Sequence, residues 1–154
     1  MIRVNVIVRK RGWKKYFENP EKYLKKKIRR LNKSSAFLNK KKLEVSFLLT
    51  GSKEILLYNK NFRKKNKSTD IISFPFHEKK NLQAQFKSKS FCYLGDIVIN
   101  LDKVVDGSKN KNISDEFDKL WIHGLLHLLG GRHKKNDDYL KMKTLEKKYF
   151  KLIN

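Results

Sequence analysis

The chain predicts a single α+β domain spanning residues 1–154, with a mixed sheet of about four strands packed with four to five helices. Three observations predict it. Ile2, Val4, Val6 and Val8 recur at every second position, and Leu43, Val45, Phe47 and Leu49 repeat the pattern, the period of a half-buried strand. Residues 94–99 instead run Leu-Gly-Asp-Ile-Val-Ile, and the continuous apolar half predicts a strand buried on both faces. Between and after these strands, apolar residues recur at helical spacing.

The elements follow in order. Gly12 and Trp13 break the first strand, and Asn19-Pro20-Glu21 starts a helix with Asn as cap, Pro at the first position and an acid in the first turn. Leu24, Ile28 and Leu31 carry that helix to about Asn32, and Lys22, Lys25, Lys26, Lys27, Arg29 and Arg30 crowd its outer surface. After the second strand, Ser52 is placed to cap a helix over 53–62 with Ile55, Asn59 and Phe62 on one face. A basic loop, 63–67, leads through Thr69-Asp70 into a short strand, Ile71 to Phe74, stopped by Pro75. Residues 77–90 are polar and weakly patterned and read as a hairpin connection. After the last strand and a loop around 107–112, Ser114 is placed to cap a helix in which every residue from Leu120 to Leu129 is apolar, Gly or His. A helix apolar all round belongs in a core. A last helix begins near Asn136 and carries Leu140, Met142, Leu145, Tyr149 and Leu152.

Charge narrows the partners. The net charge is +23, and residues 1–69 hold 22 Lys/Arg against 4 Asp/Glu, an excess that attracts polyanions through counterion release. Lys far outnumbers Arg and Asn is frequent, so codon bias towards A and T accounts for the excess as readily as function does, and the basic helix reads first as a solvated face and second as a nucleic-acid-facing one. Cys92 stands alone, which excludes an intramolecular disulfide and fits a reducing compartment. No segment reaches the ~20 apolar residues of a membrane span, and the amino-terminal stretch lacks the charged start and apolar run of a secretion signal. The expectation is a cytoplasmic protein that does not engage a membrane.

His123-Gly-Leu-Leu-His127-Leu-Leu-Gly130-Gly131-Arg132-His133 is the densest chemical motif. Residues four apart on a helix lie about 40° apart in rotation, so His123 and His127 share a face. Gly130 or Gly131 can end the helix in the left-handed conformation and let the chain fold back, bringing His133 towards the pair. Three neutral imidazoles are the ligand set of a catalytic zinc site with one position open; nitrogen ligands also accept nickel or copper. Such a set leaves the charge of the ion uncompensated, which suits an anionic substrate such as a phosphodiester. A zinc protease would carry Glu directly after the first His, and Gly124 stands there.

These residues, with Tyr58-Asn-Lys-Asn-Phe-Arg63, Thr69-Asp70-Ile-Ile-Ser73-Phe74-Pro75 and Leu94-Gly95-Asp96-Ile97-Val98-Ile99, resemble the YbeY family of bacterial endoribonucleases across essentially the whole chain. The resemblance implies a zincin-like fold, one zinc ion on His123, His127 and His133, and cleavage of single-stranded RNA. It further implies maturation of the 3′ end of small-subunit (16S) rRNA and ribosome quality control, with ribosomal proteins or assembly GTPases as partners. His123 and Arg63 carry over as catalytic residues, Arg63 also as the substrate-binding one, since a guanidinium holds two phosphate oxygens and steadies developing charge. The family usually has Tyr-Asp where this chain has Gly131-Arg132, and Asp and Pro where it has Asn66 and Ser68. Arg132 cannot orient a ligand as Asp would, so it predicts weaker metal affinity or an extra phosphate contact. Water and the 2′-hydroxyl both stay open as nucleophile. Asp70 and Asp96, read as lying near strand ends, are candidates for the base. The alternative is an RNA- or ribosome-binding assembly factor whose metal is structural and which cuts nothing.

Overall fold

The computed structural model describes residues 1–88, 91–109, 111–132 and 136–154. Four strands form a mixed sheet: β1 (Ile2–Val8), β2 (Leu43–Thr50), β3 (Ile71–Pro75) and β4 (Cys92–Asn100), in the spatial order β1-β2-β4-β3. The first two and β4 run parallel, and β3 lies antiparallel on the outer edge, with Ile71 opposite Ile99 and Ser73 opposite Ile97. Seven α-helices lie among the described residues, against the four to five expected: α1 (Pro20–Ser34), α2 (Ala36–Asn39), α3 (Ser52–Arg63), α4 (Lys79–Lys87), α5 (Leu101–Gly107), α6 (Ile113–Leu128) and α7 (Asn136–Ile153). None of the helices there is long and apolar enough to cross a membrane.

Period-two alternation places Val4, Val45, Phe47, Ile97 and Ile99 on one face of the sheet, where they join Leu24, Ile28 and Leu31 of α1 and Phe117, Trp121 and Leu125 of α6 in the main core. The opposite face is thinner. Val98, Ile72 and Ile55 of α3 form a small second cluster there, so β4 is buried on both sides as its apolar run predicts.

Several local expectations change. Residues 79–87 form a helix rather than a loop, because Leu82 is buried and Phe86 packs on the core, enough to fix a short amphipathic turn in a polar stretch. The helix α3 starts one residue early, with Gly51 rather than Ser52 at its cap. Asn112, not Ser114, caps α6: its side chain accepts from the Ser114 amide at 3.1 Å and the Ser114 hydroxyl at 2.9 Å. The residues expected only to interrupt β1 make a 3-10 turn, 11–15, that drives Trp13 into the core, where its indole donates to the Thr50 carbonyl at 3.1 Å. Phe62, grouped with the buried face of α3, is 66% exposed, and Leu140 and Leu145 of α7 are exposed as well.

Two glycines permit close approach. Gly95 has φ +133°, and a Cβ there would stand 2.1 Å from the Phe74 carbonyl oxygen, so only glycine lets β4 and β3 pair. Gly124 lets α6 lie on the edge of the sheet: a Cβ would meet Ile71 Cδ1 at 2.8 Å, with Ile97 Cγ2 and Ser73 Oγ each at 3.1 Å.

Candidate active site

α6 is held by Phe117, Trp121, Ile122, Leu125, Leu126 and Leu128, all buried. Each such side chain contributes about 1.5–3 kcal/mol, so the carboxyl end of the helix is located by packing. That end carries His123 and His127, both half-buried, and Gly130 follows with φ +93°, the left-handed turn expected of a glycine helix end.

Each ring is held from behind. His123 Nδ1 donates to Glu146 Oε1 on α7 at 2.7 Å, and His127 Nδ1 donates to the Gly131 carbonyl at 3.1 Å. Burial alone would raise the Glu146 carboxyl, but the hydrogen bond from His123 and the Lys143 ammonium, 3.2 Å from its other oxygen, hold it below the usual carboxylate range. Glu146 is therefore an ionised acceptor, and a carbonyl accepts only, so both Nδ1 atoms carry hydrogen. The lone pairs then fall on the two Nε2 atoms, which face each other at 3.0 Å. Two lone pairs so placed repel unless they share a positive charge. Ligand bonds of about 2.05 Å at the tetrahedral angle would set two nitrogens about 3.3 Å apart. The donor chemistry thus fits a metal ion, with a carboxylate and a backbone carbonyl supporting the rings as metal-binding histidines require.

His133 lies outside the described residues, and among the described residues no group of three or more potential ligands gathers round one point. Of the three candidate ligands, His123 and His127 lie within the described residues. Cys92, buried at the start of β4, does not line the cleft, and burial raises its thiol.

Glu146 is the functional residue that the sequence did not yield. It is the one acid among five lysines between residues 139 and 154, a signal that exists but points nowhere without the fold.

His123 and His127 open on a cleft of about 1090 Å³ that Arg63 and Arg132 also line. Six cationic side chains line it (Arg63, Lys79, Lys119, Arg132, Lys143, Lys147) against three carboxylates (Asp70, Glu78, Glu146), so it favours an anionic occupant. Arg63 ends α3, and Lys64 follows it in the left-handed conformation. The loop beyond is tied down from within: Asn59 Nδ2 donates to the Lys67 carbonyl at 2.7 Å, and Asn100 Nδ2 to the Thr69 carbonyl and Ser68 Oγ, each at 3.0 Å. Asn66 and Ser68 therefore do not leave this loop loose.

Asp70 borders the cleft, but its Oδ1 accepts from the Thr69 hydroxyl and the Ile71 amide, as a turn residue does. Asp96 lies in the middle of β4, not near its end, bonded by the Tyr93 hydroxyl at 2.8 Å. His77 lines the cleft. The basic face of α1 is elsewhere: that helix packs on β1, at the opposite edge of the sheet from β3.

A mixed sheet whose edge strand and covering helix border a cation-lined cleft, with two backed imidazoles on its wall, is the frame of an enzyme for anionic substrates. Residues 9–154 match the family model described as Endoribonuclease YbeY. The chain is 37% identical over 158 residues to the Endoribonuclease YbeY of Pelagibacter ubique, covering 99% of this chain and 97% of that one. It is 33% identical over 150 residues to that of Ehrlichia chaffeensis, covering 95% and 88%. The solution structure of TM1509 from Thermotoga maritima shares the fold, with a TM-score of 0.63 and 24% identity over 99% of this chain and 89% of that one. The chain belongs to the endoribonuclease YbeY family, whose members are hydrolases of phosphodiester bonds.

Proposed function

We propose that this protein is a zinc-dependent, single-strand-specific endoribonuclease that matures the 3′ end of small-subunit rRNA in the cytoplasm. The observation that carries the metal is the facing Nε2 pair at 3.0 Å with both Nδ1 atoms engaged. His123 and His127 would hold the ion, with His133 as the third ligand implied by the family motif. When bound, such an ion supplies Lewis acidity towards a phosphoryl oxygen and lowers the pKa of a water towards ~7. The rRNA destination and ribosomal partners rest on the family resemblance.

The chain's own groups divide the remaining work. Arg63 grips a phosphate of the scissile region through two oxygens and steadies the charge that develops there. Lys119, Lys143 and Lys147 add positive potential along the same cleft, and Arg132 gives a further phosphate contact. Glu146 fixes the tautomer and tilt of His123, and the Gly131 carbonyl does the same for His127. Gly124 cannot host the base of a zinc protease, since the space beyond its Cα is filled by Ile71 and Ile97.

Elemental analysis of protein purified without a histidine tag is the direct test. One zinc per chain is expected in the wild type and none in His127→Ala. Nickel at the same ratio would change the ion and leave the ligands standing; full metal retention by His127→Ala would sink the site. Metal-loaded wild type that leaves single-stranded RNA intact would replace the nuclease by an assembly factor.

A further inference from the structure

Phe62 and Phe76 are 66% and 67% exposed, the most exposed large apolar side chains among the described residues. Both sit by the edge strand β3. The Phe62 ring stacks at 24° on Tyr58, centroids 6.2 Å apart, and meets Phe74 edge-on at 5.3 Å. Phe76, which lines the cleft, is braced edge-on by His77 at 5.0 Å and Tyr93 at 5.5 Å. Each ring is thus held by two neighbours while much of it stays in water. A scattered exposed apolar side chain needs no explanation, but an oriented pair beside a functional cleft does.

Cations are interleaved with these rings. Arg63, Lys64, Lys65 and Lys67 follow Phe62 and are exposed, and Lys79 and Lys80 follow Phe76. Rings alternating with cations suit an unpaired nucleic-acid strand, whose bases offer π-faces while its phosphates seek positive charge. A duplex buries those faces in its own stack. We propose that Phe62 and Phe76 are base-stacking platforms along β3 that bind nucleotides flanking the phosphate held by Arg63, and that they give the enzyme its preference for single strands. This rests on the reading of the cleft as an RNA-cleaving site. Because the rings are already fixed, little side-chain freedom is lost on stacking.

The test uses the full chain and a short single strand of 2′-O-methyl phosphorothioate linkages, which resists cutting and carries 2-aminopurine. An abasic strand of equal length and charge and the matching duplex serve as comparisons. Wild type is expected to bind the base-bearing strand about tenfold more tightly than the abasic one, with quenching of 2-aminopurine. Phe62→Leu with Phe76→Leu should lose that preference and the quenching while keeping abasic-strand affinity. Phe62→Tyr, which retains a π-face, should keep both. Equal wild-type affinity for base-bearing and abasic strands would overturn the platforms. So would an unchanged preference in the double leucine variant, which would leave the rings to a protein partner. Wild type that shows stacking but cuts no unmodified RNA would remove the nuclease reading instead, so the two failures are distinguishable.

Discussion

The end of α6 and the end of α3 border one cleft but are held in different ways. α6 buries eight residues, Trp121 and Phe117 among them, and its histidines leave directly from that packed surface. α3 buries Ile55 and Asn59 alone, and Arg63 at its end is exposed, ahead of a loop tied down by Asn59 and Asn100. The imidazoles are placed by the hydrophobic core, whereas the arginine stands exposed between a thinly packed helix and a loop tied by a few hydrogen bonds from buried Asn59 and Asn100. Damage near the first should cost stability and site together. Damage at the second should cost only the site.

The sharpest break lies under α6. Asp118 is fully buried and accepts from Tyr23, Trp121 and Lys27, at 3.0, 2.8 and 2.8 Å. Asp118→Ala leaves Lys27 without its buried counter-charge and should destabilise by about 3–5 kcal/mol, read from urea unfolding. Arg63→Ala gives the opposite signature. Its unfolding free energy should stay within about 0.5 kcal/mol of wild type while cleavage of single-stranded RNA falls roughly 10²–10³-fold. Equal stability losses in the two variants would erase the contrast.

Glu146→Gln marks its boundary, because this carboxylate reaches His123 from α7 and not through the packed face of α6. An amide can still accept from His123 but carries no charge, so metal affinity by chelator competition should weaken about 10–100-fold with little change in the unfolding midpoint. The smallest effect belongs to Asp102, which takes the Lys10 ammonium and the Ser52 amide, the latter at 2.8 Å, at the start of α3. Burial pushes this carboxyl up, but those hydrogen bonds outweigh it and hold it below its ordinary value. A depressed carboxyl stabilises the fold above the ordinary carboxylate range and loses that contribution as pH falls through its folded value. Asp102→Asn should therefore cost at most about 1 kcal/mol near pH 7, its side chain being partly exposed and screened, and nothing in strong acid.

Features set by neighbours in sequence were legible. Alternation located β1 and β2, the Asn19 cap accepts from the Lys22 amide at 2.8 Å as read, and the histidine spacing placed His123 and His127 on one face. What needs a distant partner was not legible. Glu146 meets His123 across 23 residues, and nothing local distinguishes it. α4 is invisible to periodicity because only Leu82 is buried. Asn112 and Ser114 are both competent caps, and the choice depends on where the first helical turn begins, which here lets Asn112 accept from the Ser114 amide.

Gly124 has a consequence for the active cleft itself. It touches the strand on one side of the opening while its helix carries the histidines on the other. The spacing between the edge strand and the imidazoles is therefore set by a hydrogen atom in place of a side chain. An alanine there must move Ile71 or lift α6 by a few tenths of an ångström, and anything larger must do more. A residue that meets no substrate thus fixes how far apart the two halves of the site can stand, and a change in core packing would be read out as a change in reach.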